Sequence, residues 1–571
     1  MSANRLQRDA RTVSTLTLLS RVTGLARDAV LSRVFGIGPV MDAFAFAFML
    51  PNLFRRLFGE GALSAAFLPI YARLDRDDPK AARRFAAAVV AGLVVALAGL
   101  ALLGEGVLWV LSARLGHDHL TLRLMMITLP YMPLVCLVAI LGAMLQVHGR
   151  FAPTAAAPIL LNGAIVVAAL GSGWIVADGL LPAGDSGDPA RLAGRAAIVA
   201  ASIVVAGALQ VAWSLLALRN QSAHASGPSW WQAWSELWRR GGALDAPRSA
   251  FREMLAKAGP MILGLGVLQV NTFVDGLIAS WPSSVGPTIF GVDYPLASGA
   301  LAALGYAQRL YEFPLGVFGI AVATAIFPLL ARQANDPAAF VATVRHGLRL
   351  VIFIGLPASA GLLLVATPLT ATILQGGDFT AEDTRRTAFI LAGYAPAVWA
   401  YSMTHTLTRG FFALGDSRTP VRLSIWMVGL NFALNVVLIW TPLREAGLAW
   451  STAICAILQA SILLRLLGRK VTTDAISGAG AIVETEVRRS WARSALATAL
   501  MCLAVWLVVD GIGGGRDGAR SWGSEVLLLA IAVIAGIAVY SGAALGLRMP
   551  ELRWAIGRAE RRGSDSLSRS P

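Results

Sequence analysis

Apolar residues run through this chain in long, nearly unbroken stretches separated by short polar connections, and the stretches recur from one end to the other. Residues 85–103 and 527–546 hold no charged side chain at all. Crossing a hydrocarbon core of ~30 Å takes ~20 helical residues, so each such stretch is long enough to span a bilayer. Strands of a membrane barrel would instead alternate apolar and polar positions over ~10 residues, a period absent here. Inside lipid every backbone polar group must be satisfied within its own segment, so continuous runs of this kind are helices. The pattern predicts an all-α, polytopic membrane protein with about fourteen transmembrane helices. Their spans are 12–36, 40–71, 84–113, 121–148, 153–177, 193–218, 251–281, 297–331, 339–367, 385–413, 419–440, 446–467, 488–511 and 524–547. Prolines at 51, 69, 130, 133, 314, 328, 357 and 396 fall within or near these spans. Such breakers are tolerated where neighbouring helices or a cavity re-satisfy the freed groups.

Composition agrees. Of the 571 residues 56% are hydrophobic and only 14% charged, against about 25% charged in soluble proteins. The net charge of +15 would suggest nucleic acid in a soluble protein; here it reads as the excess of Lys and Arg in cytoplasmic loops, and no nucleic-acid partner is expected. Basic residues cluster after the second span (Arg73, Arg76, Lys80, Arg83, Arg84), after the sixth (Arg219, Arg239, Arg240, Arg248, Arg252, Lys257), after the twelfth (Arg469, Lys470, Arg488, Arg489) and in the tail (Arg548, Arg553, Arg558, Arg561, Arg562). Alternate loops carry Asp178, Asp185, Asp188, Asp293, Asp378, Glu382 and Asp383. Both termini are therefore expected in the cytoplasm of a bacterial inner-membrane protein. The first span contains Arg21 and Arg27 and lacks a cleavage pattern, so it reads as a retained helix. Residues 229–240, with Trp230, Trp231, Trp234 and Trp238 beside arginines, read as an interfacial amphipathic helix.

An internal repeat is visible. The run Ala66-Phe-Leu-Pro-Ile-Tyr-Ala-Arg73 recurs as Ala325-Ile-Phe-Pro-Leu-Leu-Ala-Arg332, and Pro133, Pro153 and Asn162 are echoed by Pro396, Pro420 and Asn431. Both pairs lie six spans apart, so the repeats share one membrane orientation. The expected architecture is an N-lobe (1–218), a cytoplasmic loop (219–250), a C-lobe (251–467), two further helices (468–547) and a polar tail (548–571). Parallel-repeat transporters hold substrate between such lobes and rock them around it.

A charge at bilayer depth costs at least ~2.5–3.5 kcal/mol on insertion scales, so it faces a partner or a watery cavity. Arg21, Arg27, Arg55 and Arg309 lie well inside apolar spans drawn from both repeats. A guanidinium is never neutralised there, and its planar fork of donors suits phosphate oxygens. A pocket of this kind favours a multivalent anion. The competing explanation is local neutralisation, by Asp28 beside Arg27, Glu60 after Arg55 and Glu312 one turn from Arg309; Arg21 has no acidic neighbour within a turn. Asp275, Asn431, Asn435, Ser451 and Thr452 supply a hard-cation donor set of the Na⁺ type, or else hydrogen bonds that join helices. Cys136, Cys455 and Cys502 fit neither a disulfide framework nor a metal site. His117 and His119 lack a third ligand, and residues 511–515 are Gly-rich without the Gly-Lys-Ser/Thr of a phosphate loop. No nucleotide motif and no catalytic constellation is present, so neither an in-chain ATPase nor an enzyme is expected.

The run Ser20-Arg-Val-Thr-Gly-Leu-Ala-Arg-Asp28, then Phe35-Gly36, Asp42-Ala-Phe44, Leu50-Pro-Asn-Leu-Phe-Arg-Arg-Leu-Phe-Gly-Glu-Gly-Ala-Leu-Ser-Ala-Ala-Phe-Leu-Pro69, Tyr306-Ala-Gln-Arg-Leu-Tyr-Glu-Phe-Pro-Leu-Gly-Val-Phe-Gly319 and Gly410-Phe-Phe-Ala-Leu-Gly-Asp-Ser-Arg-Thr-Pro420 together resemble the MurJ (MviN) lipid II flippases of the MOP exporter superfamily. The resemblance implies a two-lobe carrier of lipid II, the undecaprenyl-diphosphate-linked peptidoglycan precursor, moved to the periplasmic leaflet by alternating access. It implies substrate-binding arginines at Arg21, Arg27, Arg55 and Arg309, with Ser20, Asp28, Asp42, Glu60 and Glu312 supporting or gating. It further implies a Na⁺ site at Asp275, Asn431, Asn435 and Ser451, a lipid-tail groove on the last two helices, and no bound cofactor. Na⁺, H⁺ or the membrane potential would drive the cycle. Membrane lipids and cell-wall synthesis proteins are the remaining expected partners. Alternative readings are an O-antigen lipid flippase of the same superfamily and a non-transporting cell-wall scaffold. Two departures stand out: Gln308 occupies a position where the family pattern leads one to expect aspartate, and residues 281–298 form a longer connection than that pattern has, with no assigned role.

Overall fold

The computed structural model describes residues 3–59, 62–115, 119–177, 189–222, 248–473, 481–513 and 521–555. In chain order the helices are α1 (Ala3–Phe35), α2 (Pro39–Phe54), α3 (Ala62–Asp77), α4 (Pro79–Leu115), α5 (Leu120–Thr128), α6 (Tyr131–Val147), α7 (Ala152–Ala177), α8 (Pro189–Ser222) and α9 (Arg248–Ser284). A two-stranded antiparallel hairpin follows, β1 (Thr288–Ile289) and β2 (Val292–Asp293). Then come α10 (Ala300–Pro314), α11 (Ile320–Arg332), α12 (Pro337–Leu364), α13 (Ala366–Leu374), α14 (Ala381–Tyr394), α15 (Ala397–Ala413), α16 (Arg418–Leu438) and α17 (Ala446–Thr473). The chain ends with α18 (Thr485–Gly513), α19 (Trp522–Gly546) and α20 (Glu551–Ala555). Every expected span has a helical counterpart, and the protein is a multi-pass membrane protein of the all-α class. Among the described residues, nine helices are long and apolar enough to cross a bilayer unaided. Their outward faces are apolar as lipid requires: Val95, Leu102, Leu103 and Trp109 on α4 are each more than 60% exposed.

Prolines break two of the expected spans. The expected span 121–148 breaks at Leu129–Pro130 and 385–413 breaks at Ala395–Pro396, where a missing N–H and a ring clash end the preceding turn. Here the structure corrects the repeat. Pro130 and Pro396 are the N-cap residues of α6 and α15, at φ −60°, ψ −18° and φ −63°, ψ −21°, and each helix then runs 17 residues. Each is followed by a glycine with positive φ, Gly149 at 74° and Gly415 at 73°, a conformation glycine adopts without a Cβ penalty. Pro130, and not Pro133, is thus the partner of Pro396. A second repeated feature has no sequence signature: five-residue π-helices at Arg55–Gly59 and Leu315–Gly319, just ahead of the Ala66–Arg73 and Ala325–Arg332 motifs.

By packing, the chain forms two compact units, residues 1–302 with 376–379, and residues 303–375 with 380–571. The sequence repeat assigns α9 to the second lobe, whereas α9 packs on α2 and α3 of the first unit. The turn Gly376–Phe379 joins that unit because Asp378 N–H donates to Arg33 O at 2.9 Å. The first core is built on Phe67, Tyr71, Phe85, Leu141 and Met144, with the Phe67 ring 5.3 Å from Tyr71 and 5.5 Å from Phe85. The second is built on Phe340, Leu348, Leu407, Phe411 and Leu467. The last two long helices, α18 and α19, pack on each other and on α12 within the second unit, through Phe353, Met501, Val505 and Tyr540. Residues 229–240, Glu60, His117 and the tail beyond 555 lie outside the described residues.

Candidate functional site

In the first unit the arginines sit on α1 and at the start of the first π-helix. Arg27 is held from two sides: Nε and Nη2 donate to Asp28 Oδ1 at 2.9 and 2.6 Å, and Nη1 donates to Asn162 Oδ1 of α7 at 3.1 Å. Asn162 in turn donates to Thr23 Oγ1 and to the backbone carbonyl of Ser20. Both members of the Arg27–Asp28 pair are largely buried, their side chains 11% and 8% exposed. Local neutralisation is therefore real at Arg27, where α1 and α7 are pinned together by one guanidinium.

Arg21, six residues earlier on α1, is different. It is exposed, and among the described residues it makes neither an ion pair nor a side-chain hydrogen bond. Arg55 opens the π-helix, with its Nε donating to Asn52 Oδ1 at 2.8 Å. A π-turn widens the helix and frees backbone groups; the Phe54 carbonyl accepts from Cys136 Sγ at 3.6 Å.

Asp42 is fully buried in the first unit, and its carboxylate closes the N-terminus of α10. Oδ2 accepts from Gly299 N–H at 2.7 Å and from Ser283 Oγ at 2.7 Å, while Oδ1 accepts from Ala302 N–H at 2.9 Å. Ser283 and Ser298 share a further contact at 2.7 Å. A carboxylate at a helix N-terminus satisfies orphan N–H groups and the positive end of the helix dipole together.

In the second unit Arg309 is 48% exposed and meets Glu312 at 3.5 Å. Gln308 Nε2 donates to the other carboxylate oxygen of Glu312 at 2.8 Å. Gln308, where an aspartate was expected, thus competes with Arg309 for the same acid instead of adding a second one.

Asn431, Asn435 and Ser451 are brought together, buried, between α16 and α17. Asn431 Nδ2 donates to Ser451 Oγ at 3.1 Å, Asn435 Nδ2 to Asn431 Oδ1 at 3.3 Å, and Ser451 Oγ to Asn435 Oδ1. Each amide oxygen accepts one hydrogen bond within the cluster and keeps a second lone pair, and the bonds tie α16 to α17 as polar side chains between membrane helices do. Thr452 Oγ1 turns back to the Leu448 carbonyl at 2.9 Å. Asp275 belongs to the first unit, where Asn271 donates to it at 3.1 Å. No group of three or more His, Cys, Asp or Glu side chains that could hold a metal occurs among the described residues.

Two residues escaped the sequence reading as site residues. Asn162 is the repeat partner of Asn431, and that equivalence was a usable signal. Arg195 interrupts the apolar run of α8; its Nε donates to Ser172 Oγ at 3.1 Å and its guanidinium lies 5.9 Å from the Phe35 ring centre.

Two sequence-related helical repeats, each carrying a π-helix, with permanent cations inside their helices, make this a multi-pass α-helical membrane protein. Its fold is that of a solved multidrug-resistance MATE transporter of the MOP superfamily in an inward-facing conformation, which superposes with TM-score 0.60 at 13% identity, covering 82% of this chain and all of that one. A solved lipid II flippase MurJ, in an inward closed conformation, gives TM-score 0.69 at 21% identity, covering 94% of this chain and 99% of that one. The family model of the lipid II flippase MurJ matches residues 31–512, and the chain belongs to that family. It is similar to the probable lipid II flippase MurJ of Vibrio cholerae, 29% identical over 96% of this chain and 98% of the relative. The lipid II flippase MurJ of Burkholderia cenocepacia is 31% identical over 80% of this chain and 83% of the relative.

Proposed function

We propose that this protein is a lipid II flippase of the bacterial inner membrane, carrying the precursor from the cytoplasmic to the periplasmic leaflet by alternating access. Both termini face the cytoplasm in this reading. Arg21, Arg55 and Arg309 contact the diphosphate headgroup, and the Arg27–Asp28–Asn162 group positions α1 for it. The observation that carries the reading is Arg21: an exposed, permanently charged side chain on α1, flanked by the exposed apolar side chains of Leu18, Leu19 and Val22 and with no counter-charge among the described residues. Such a charge is expensive at bilayer depth unless an anionic guest offsets it. Membrane potential, H⁺ or Na⁺ resets the empty, cationic carrier. The chain acts as a transporter and performs no bond-making step on its cargo.

The test is complementation. In cells depleted of their own flippase, this protein should restore lipid II that an impermeant reagent can label from outside. Arg21→Ala and Arg309→Ala should each lower that labelling about tenfold or more, as loss of a charge-assisted phosphate contact does. Full labelling by the Arg21→Ala/Arg55→Ala/Arg309→Ala variant at equal protein level would reject the binding role. Restoration of an O-antigen carrier, with lipid II still inside, would reject the substrate.

A further inference from the structure

We propose that the β1–β2 hairpin is a lipid-seated peg: its uncharged tip, led by Phe290, enters the headgroup–acyl boundary of the leaflet beside the C-terminal end of α9.

The level of the hairpin follows from helix geometry. At 1.5 Å per residue α9 is about 55 Å long, well beyond a hydrocarbon core of ~30 Å. Its basic residues end at Lys257, and the ~20 residues that cross the core from there reach Ile278. Residues 278–281 therefore mark the far boundary. The hairpin is tied to this level and not to the end of the helix at Ser284. Tyr294 Oη donates to the Ile278 carbonyl at 2.9 Å, and Trp281 Nε1 donates to the Thr288 carbonyl at 3.2 Å. The two rings stack with centroids 5.9 Å apart. Tyrosine and tryptophan with hydrogen-bonded polar tips are the side chains that membrane boundaries favour. The chain has folded back along the last turns of α9 instead of standing clear of them.

The tip chemistry points the same way. Ile289, Phe290, Gly291 and Val292 carry no polar side chain, whereas Thr288 and Asp293 pair at the base. Phe290 is 100% exposed, and Val285 and Val292 are each 55% exposed. The turn has φ of 50° at Phe290 and 79° at Gly291. Positive φ at both central residues is the geometry that Asn-Gly or Asp-Gly serves without strain. A phenylalanine there is strained and, in water, exposes a whole aromatic ring. A lipid boundary removes the second penalty. A protein partner fits less well, because a base held at the level of Ile278 keeps the tip close to the bilayer. Ser283 and Ser298 bracket the hairpin and belong to the Asp42 cluster, so a seated tip fixes the depth of that clasp.

The full-length protein with Cys136, Cys455 and Cys502 changed to Ala, and Phe290→Cys bearing an environment-sensitive fluorophore, is placed in phosphatidylethanolamine/phosphatidylglycerol vesicles. Exposed Glu382→Cys is the aqueous control. The label at 290 should be blue-shifted, quenched by nitroxide lipids, and quenched by iodide roughly threefold less than the control, as for a side chain held in the interface. Equal iodide quenching at both sites without nitroxide quenching overturns the proposal. So does protection that arises only on adding periplasmic protein. Phe290→Asn provides a label-free check, since it suits the turn and should fold. Its rise in melting temperature on transfer from detergent to vesicles should be smaller than the parent's, and an equal rise counts against the peg. Neither readout depends on substrate, so a failure of the flippase reading leaves the result interpretable.

Discussion

Asp42 concentrates more function-relevant chemistry than any of the arginines taken singly. Its two oxygens receive two buried backbone N–H groups and a partly buried serine hydroxyl. Asn at this position keeps one oxygen and turns an NH₂ toward donors, so Asp42→Asn should cost about 2–4 kcal/mol. The measurement is thermal unfolding in detergent, and an unchanged midpoint would show that the clasp bears no load. At this scale the sequence was informative only where partners are neighbours. Arg27 and Asp28 adjoin, and their pairing could be written down from the chain. The contact of Arg27 with Asn162 spans 135 residues, and no local spacing rule reaches that far. Arg21 was singled out for lacking an acidic neighbour, and the absence persists among the described residues of the folded chain.

At the scale of elements, the Gly410–Pro420 motif shows why a connection between helices can be restrictive. Asp416 accepts from Thr419 N–H at 3.0 Å, from Thr419 Oγ1 at 2.9 Å and from Lys470 Nζ at 2.9 Å, joining the start of α16 to the end of α17. Burial opposes its ionisation, but the Lys470 and Thr419 hydrogen bonds outweigh that effect and hold the carboxyl at about 2, below its ordinary 3.8. A depressed folded-state value means stabilisation that is complete above 3.8 and is lost as pH falls through about 2. Asp416→Asn should therefore lower the unfolding midpoint at neutral pH, with the difference from the parent vanishing across that acid window. A difference independent of pH would assign the effect to geometry and not to charge. The helix breaks at Pro130 and Pro396 were not placed from sequence: both prolines were noted, but the spans 121–148 and 385–413 run through them, because a proline inside a membrane helix can bend it without ending it. Nor were the π-helices, because Arg55–Gly59 and Leu315–Gly319 share only a closing Phe-Gly, which does not distinguish five-residue hydrogen bonding from four.

For the whole molecule, hydropathy was sufficient to place every long helix, since solvation by lipid acts on each segment alone. The allotment of α9 and of residues 376–379 to the first unit was illegible, because it depends on packing between segments remote in sequence. The same holds for α18 and α19, which extend the second unit instead of standing apart. Arg349 Nε meets Glu551 at 2.7 Å and Arg345 meets Glu484 at 2.7 Å, so the C-terminal region neutralises charges on α12. Tyr540 Oη donates to the Phe353 carbonyl at 2.6 Å. A chain ending at Thr473 leaves those arginines without their acids. The largely buried Arg349–Glu551 pair carries most of the cost, up to about 3–5 kcal/mol for a buried pair broken on one side, and the more exposed Arg345–Glu484 pair adds little. Its folded yield by size-exclusion chromatography should collapse, and Arg345→Met with Arg349→Met should recover part of it. A truncated chain as stable as the parent would make α18 and α19 dispensable ornaments.

The paired π-helices carry a consequence for how this chain can vary. A π-turn is an α-helix that has taken in one extra residue: its five residues turn the chain about as far as four α residues at ~100° each. Drop one residue from Arg55–Gly59, and the turn relaxes to α while Phe67, Ile70 and Tyr71 of α3 go on facing protein; drop one from Leu315–Gly319, and Leu330 keeps its place. These two stretches are where the chain can shorten by a single letter and leave every helix beyond it aimed as before.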